Sequence, residues 1–256
     1  MPETLAELVD IHRFPIKGLA PDRMSEAQLE PGLALDQDRA WAIGPAELDF
    51  DAAAPAHKSK AFFIQLMGSP ALARIGTRFV DNARAVELTA ESGAKIEARL
   101  DDPVGRETAA RFIALALGAE MGVTLALFGA PGLSLSDIPR QRLSIINLET
   151  VRAISAAAGK TIDPLRFRGN LLIDGAPAFS EFDWVGRDIA IGGVTAHVEA
   201  RITRCQATSV DLEAGARDLD LPKILMSGWD HADCGVYVET KNAGRVTPGA
   251  SISFLK

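Results

Sequence analysis

The sequence predicts a mainly β (α+β) protein: a β-rich barrel with a few helices attached. Three observations point there. Short β-patterned runs outnumber helical ones, and the two clear helical stretches do not alternate with strands as they would in a doubly wound sheet. The runs are also separated by strong turn chemistry, such as Asp81-Asn82 and Ser92-Gly93.

Taken in order, Leu5 to Phe14 reads as a strand closed by Pro15 and followed by an exposed Lys17-Gly18. Met24 to Glu30 runs into the turn Pro31-Gly32, and Arg39 to Ile43 resumes an apolar strand. Gly44 to Lys60, rich in Ala, Pro and Asp, is expected to be a loop. Arg74 to Val80, Arg84 to Ala90 and Ala94 to Leu100 form a meander. Val104 to Leu117 is helical, with Ala109, Phe112, Ile113 and Ala116 on one face and Gly118 as its stop. Gly118 to Val123 is a seam between two parts of the chain. Asn147 is an N-cap for a second helix, Leu148 to Ala158, ended by Gly159. Strands then return at Phe167 to Ile173, Asp188 to Ile191, Val194 to Ile202, Cys234 to Glu239 and Ser251 to Leu255.

A chain of 256 residues has room for a sizeable core and for one large or two small domains. Its formal charge of −7 argues against a general nucleic-acid or membrane-surface role, so an anionic ligand needs a local basic pocket. Two cysteines are too few and too far apart for a disulfide framework or a structural zinc site. The start of the chain lacks the pattern of a secretory signal, and no apolar run approaches about 18 residues. A reducing cytoplasm is therefore expected.

Cys205 is the first place to look for chemistry. It ends the strand pattern Val198, Ala200, Ile202 and is flanked by Arg201 and Arg204. Nearby positive charge eases ionisation of a thiol, and the thiolate binds soft metals or carries sulfur. A small buried hydrophobe is the competing role for such a cysteine. Lys17, Arg39 and the pair Arg166/Arg168 are candidate anion-binding cations, the last two expected on one side of a strand. Solvated strand ends would look the same. In Phe179-Ser180-Glu181-Phe182-Asp183-Trp184, Glu181 or Asp183 could orient Arg168, and Trp184 could wall a pocket. His231 and Cys234 alone do not make a metal site. There is no Gly-x-Gly-x-x-Gly, Walker or Gly-x-Ser-x-Gly motif.

The ordered set of segments resembles the MOSC domain, named for the carboxy-terminal part of molybdenum cofactor sulfurases. The resemblance rests on Arg166-Phe167-Arg168-Gly169-Asn170, Phe179 to Trp184, Ile191-Gly192-Gly193, Arg204-Cys205 with Thr208 and Val210-Asp211, Gly235-Val236-Tyr237 and Gly244 to Gly249. The first half resembles the β-barrel domain that precedes MOSC, through Phe14-Pro15-Ile16-Lys17-Gly18 and Asp38-Arg39-Ala40-Trp41, with Leu135-Ser136-Asp137 in a related segment. Domains of 1–120 and 121–256 are expected.

By resemblance to the branch that includes the mitochondrial amidoxime-reducing component, the chain would bind a molybdenum cofactor (molybdopterin) and reduce N-hydroxylated small molecules. Cys205 would be the thiolate ligand to molybdenum. Lys17, Arg39, Arg166 and Arg168 would lie near the pterin and its phosphate. Asn170, Glu181 and Asp137 would hydrogen-bond or orient, and Arg204 belongs to the same signature. The resemblance also brings an association with pyridoxal phosphate binding. Electrons would come from a separate protein, of ferredoxin or cytochrome b5 type, since no cysteine cluster follows in the chain. Two other functions fit the same residues: a sulfur carrier with a persulfide on Cys205 and no metal, and a non-catalytic cofactor binder. The chain departs from the family pattern at Gly18, where Ser is frequent, at Gly169, where Pro is frequent, and after Gly249, where Asp is usual. Near residues 56–60 Lys58 or Lys60 would replace the family's arginine.

Overall fold

The computed structural model describes residues 4–52, 59–118, 123–129 and 132–255. The strands among them are β1 (Thr4–Arg13), β2 (Asp22–Met24), β3 (Ala27–Leu29), β4 (Trp41–Pro45), β5 (Gly76–Val80), β6 (Ala85–Thr89), β7 (Lys95–Arg99), β8 (Leu125–Gly129) and β9 (Leu143–Asn147). They continue with β10 (Leu171–Asp174), β11 (Asp188–Ile191), β12 (Val194–Thr203), β13 (Val210–Asp211), β14 (Ala216–Arg217), β15 (Asp233–Thr240), β16 (Gly244–Val246) and β17 (Ser251–Phe254). The α-helices are α1 (Pro103–Ala116), α2 (Leu148–Ala158) and α3 (Leu221–Trp229).

Seven strands close into a barrel in the order β10-β9-β15-β12-β11-β17-β1, with β1 pairing back to β10. The fold is mainly β, and closure leaves these strands no free edge. The β9–β10 pair is parallel, as a crossover through α2 requires; the other barrel pairs are antiparallel. Inward residues such as Leu8, Ile11, Ile145, Ile173, Val198, Val236 and Ile252 fill the interior. A second core gathers Leu72, Val86, Leu88, Ile113 and Leu127 around the meander β5-β6-β7 and α1, and Val210 from the other half joins it. The stretch before residue 120 thus feeds both cores, because Ala6, Leu8, Ile11, Ala27 and Leu29 pack inside the barrel. Helices α2 and α3 cover the barrel's outer side over Ile146, Phe167 and Cys234.

The capping expected for the helices is present. Asn147 accepts the Glu149 N–H, and Gly159 ends α2 at φ +64°. Asp102 caps α1, and Gly118 follows it at φ +83°. Four expectations change. Lys17-Gly18 is buried, because Pro15 turns the chain into the molecule. The run Phe167 to Ile173 is a strand only from Leu171; a 3-10 turn, Pro164–Phe167, precedes it. Residues 24–30 split into β2 and β3. In β12 the register shifts between Val198 and Ala200 and again between Arg201 and Thr203, so Ala200 faces outward while Ile202 stays buried. Such bulges bend a strand; these two lie just before Cys205. Strands β8 and β9 and helix α3 are additional to the expected elements. Among the described residues, no helix is long and apolar enough to cross a membrane. Residues 53–58 and 119–122, including Lys58 and most of the expected seam, lie outside the described part.

Candidate functional site

Between the barrel and the second core lies a cleft of about 340 Å³. Among the described residues, seven that line it are Lys or Arg and one, Asp137, is a carboxylate, in a chain of net charge −7. It brings together Lys17, Arg39, Asp137, Arg166, Arg168, Asn170, Arg204 and Cys205 of the expected set.

Lys17, just beyond β1, is 6% exposed, and its ammonium donates to the Leu135 carbonyl (2.8 Å) and to Asp137 Oδ1 (2.6 Å). Burial pulls this ammonium below its ordinary value, Asp137 pulls it back up, and Arg39 and Arg168 add to the lowering. Asp137 Oδ2 is also 3.3 Å from Lys60 Nζ. Burial raises the Asp137 carboxyl, but Lys17 and Lys60 outweigh it and hold the group below the usual carboxylate range. For Lys60, burial lowers the ammonium while Asp137 and Cys205 raise it further, leaving it above its ordinary value. Lys60 and Cys205 both line the cleft, and the influence of Cys205 on the Lys60 ammonium puts a cation near the thiol. Cys205 itself is partly exposed and caps the 3-10 turn Gln206–Ser209, its carbonyl accepting the Thr208 N–H and hydroxyl.

Arg39 and Arg168 form a second group. Their guanidinium carbons lie 4.6 and 4.2 Å from the centre of the buried Phe14 ring. Arg39 Nη2 donates to the Arg168 carbonyl (2.8 Å), and Arg168 Nη1 donates to the Leu19 carbonyl (2.8 Å). Both backbones are left-handed, at φ +52° and +53°, a conformation that non-glycine residues adopt at a cost. Asp38 pairs with Arg39, yet Arg168 Nη2 is buried with no acceptor. Burial, reinforced by Arg39, lowers the Arg168 guanidinium to about 9. Two like charges held on one ring with an unused donor make a place for an anion.

Other cations at the wall are committed. Arg166, 2% exposed, bonds Asp218 (2.6 Å) and Asp211, which also hold Lys160. It does not share a strand face with Arg168, since one sits in the 3-10 turn and the other follows it in the left-handed conformation. Arg204 donates to the carbonyls of Cys234 and Phe167, and burial lowers its guanidinium. Asn170 exchanges hydrogen bonds with Ser144 and donates to the His12 carbonyl (3.1 Å), tying β9 to β1. Glu181 is not in the cleft. It is fully buried and accepts from Asn147 (2.9 Å) and Thr150 (2.9 Å), so it orients α2 and not Arg168. Burial raises its carboxyl despite these donors. Trp184 plugs the barrel core and does not wall the cleft. Cys234 is fully buried and its thiol is pushed up to about 12 by that burial. Among the described residues no three His, Cys, Asp or Glu side chains gather as a metal cluster.

The departures have local causes. Gly18 sits at φ +91°, and a Cβ there would lie 3.2 Å from Leu72. A Cβ on Gly169 would lie 2.2 Å from Ile146 Cγ1. Sequence reasoning missed Arg142, Ser144 and Tyr237, which line the cleft from β9 and β15 or beside them, and Phe14 as the platform for two arginines. Tyr237 is the single tyrosine of the chain and a member of the Gly235-Val236-Tyr237 segment, which was the available signal.

The fold and site are a closed β-barrel with a basic, thiol-bearing cleft in its side. Residues 132–253, in the carboxy-terminal half of the chain, match the model of the MOSC domain. Two solved structures are similar. YiiM from Geobacillus stearothermophilus is 17% identical at a TM-score of 0.36, over 44% of this chain and 54% of that one, so about half the length of YiiM is spanned. The YUAD protein from Bacillus subtilis is 12% identical at a TM-score of 0.45, over 99% of this chain and 98% of that one. No curated protein matches the chain.

Proposed function

We propose that the cleft binds a molybdenum cofactor (molybdopterin), with Cys205 as the thiolate ligand to the metal, and that the chain reduces N-hydroxylated or N-oxygenated small molecules. The observation that carries this reading is the concentration of cations around one partly exposed thiol in an acidic chain. The residues fit an anionic cofactor. Among the described residues, Arg168 Nη2 lacks an acceptor, Arg39 is held beside it, and Asp137 is the carboxylate that pairs with Lys17 and Lys60. A phosphate at Arg39 and Arg168 would complete their hydrogen bonding. When bound, the cofactor supplies the redox chemistry of oxygen removal. The chain's own part is to hold it by charge, to keep Cys205 beside the Lys60 ammonium, and to present Tyr237 and Ser144 at the wall. Lys17, Arg39 and Lys60 come from the part before residue 120 and Asp137, Arg168 and Cys205 from the part after it, so both parts are needed for the site. The substrate is a small molecule, and electrons come from a separate ferredoxin- or cytochrome b5-type protein.

A partly exposed free Cys205 sharing the cleft with Lys60 also favours a second reading, a sulfur carrier with a persulfide on Cys205. Protein made in a cofactor-producing host distinguishes the two. The first reading expects molybdenum and pterin in equal amounts, with the metal lost from Cys205→Ala. Protein free of both, with added sulfur on Cys205 by intact-mass spectrometry, would overturn it in favour of the carrier.

A further inference from the structure

A second cavity, of about 270 Å³, lies behind the wall of the cleft. The wall is the segment around Leu135. Ser134 lines the second cavity, whereas Ser136 and Asp137 line the cleft. Leu135 is fixed between them: its N–H donates to the Arg39 carbonyl (2.8 Å), and its carbonyl accepts the Lys17 ammonium (2.8 Å).

The two cavities have opposite charge. Among the described residues no lysine or arginine lines the second, and three carboxylates do: Glu30, Asp36 and Asp38. Asp38 is already used, accepting the Phe14 N–H (2.9 Å) and pairing with Arg39. Glu30 and Asp36 are exposed and accept only from the amides of Gln28 and Gln37. Neither has a cationic partner among the described residues. Leu35 and Leu133 give the cavity apolar walls. Ser134 is 6% exposed, and its hydroxyl is buried without a hydrogen-bond partner. Leaving a buried hydroxyl unpaired costs free energy, and a ligand atom in the cavity would remove that cost.

We propose that this second cavity binds a small organic cation. Its ammonium is held by Glu30 and Asp36, its apolar body lies along Leu35 and Leu133, and a polar atom at its far end meets the Ser134 hydroxyl. The site goes beyond the molybdenum reading and does not depend on it.

Tyramine carries an ammonium, an apolar ring and a terminal hydroxyl, and serves as the probe. Titration calorimetry on the whole chain is expected to show saturable tyramine binding, weaker binding of phenethylamine, which lacks the hydroxyl, and none of 4-ethylphenol, which lacks the charge. The double substitution Glu30→Gln, Asp36→Asn is expected to weaken tyramine about tenfold or more, since charged hydrogen bonds are lost. Both positions are exposed, and a urea midpoint matching the parent's verifies that the variant is folded. Ser134→Ala is expected to erase the preference for tyramine over phenethylamine. No saturable binding, equal binding of 4-ethylphenol, or unchanged affinity in the folded double variant would each overturn the proposal.

Discussion

Replacing Lys17 by methionine separates two roles open to a buried cation, bracing the fold and holding a ligand. Lys17 is 6% exposed, and burial keeps its ammonium below the ordinary lysine value even with Asp137 beside it. The charged form is therefore less favourable in the fold than in water. Methionine fills a similar volume without that cost. The substitution removes the 2.8 Å bond to the Leu135 carbonyl and the 2.6 Å bond to Asp137. Asp137 is not stranded, because its side chain is 44% exposed and Lys60 remains 3.3 Å away. The balance is a stability within about 1 kcal/mol of the parent, on the more stable side, and not the roughly 3–5 kcal/mol loss of a broken buried pair. Binding should move the other way. Losing one charged contact of about 1.5–3 kcal/mol weakens inorganic pyrophosphate by about 10- to 100-fold. Urea midpoints and calorimetry at fixed salt measure the two effects. The folded pKa lies below the ordinary 10.5, so the cost of the charge is present at neutral pH and fades as pH rises through the folded value towards 10.5. The variant's stability advantage should shrink over that window. A variant that loses several kcal/mol yet binds pyrophosphate as tightly as the parent would refute the reasoning and make Lys17 a brace.

Two further predictions concern residues around the site. Burial raises the folded pKa of Glu181 above its ordinary 4.5, so the stability tied to its neutral form is present below that value and lost as pH rises through the folded pKa. Glu181→Gln cannot ionise and should gain on the parent in urea midpoints across that rise; a gap that stays constant with pH would contradict this. Gly169→Ala places a Cβ 2.2 Å from Ile146 Cγ1 and should cost about 1–3 kcal/mol. A double-mutant cycle with Ile146→Ala tests the cause, since purely additive effects would mean that the two positions do not collide.

Elements with local signals were legible from the sequence. The meander β5-β6-β7 announced itself by its turns, and α2 by Asn147 before it and Gly159 after it. Strand β9 was not, because all five of its residues are buried and Leu143-Ser144-Ile145-Ile146-Asn147 does not alternate apolar with polar. Helix α3 had a usable signal, the capping Asp220 with Pro222 in its first turn, but is short. In the site, neighbours in the chain pointed to Cys205, and the family resemblance gathered Lys17, Arg39 and Arg168 around it. What local pattern could not show is where a charge is spent. Arg166 is answered by Asp211 and Asp218, 45 and 52 residues away, and Glu181 by Asn147, 34 residues earlier. The left-handed backbones of Arg39 and Arg168 are likewise products of tertiary packing, with Phe14 between the guanidinium groups and the core.

The seam of the barrel also sets an order of events during synthesis. Strand β1 is made before both of its barrel partners, so one of its edges waits for β10 and the other for β17, where Glu7 faces Ser251. A nascent chain still holding residues 251–254 inside the ribosome has β1 and β11 each short of a partner. Pairing across so long a separation is slow to form and leaves edges exposed meanwhile. The ring therefore closes only after translation has passed β17, and until then the cleft beside it lacks a completed barrel wall.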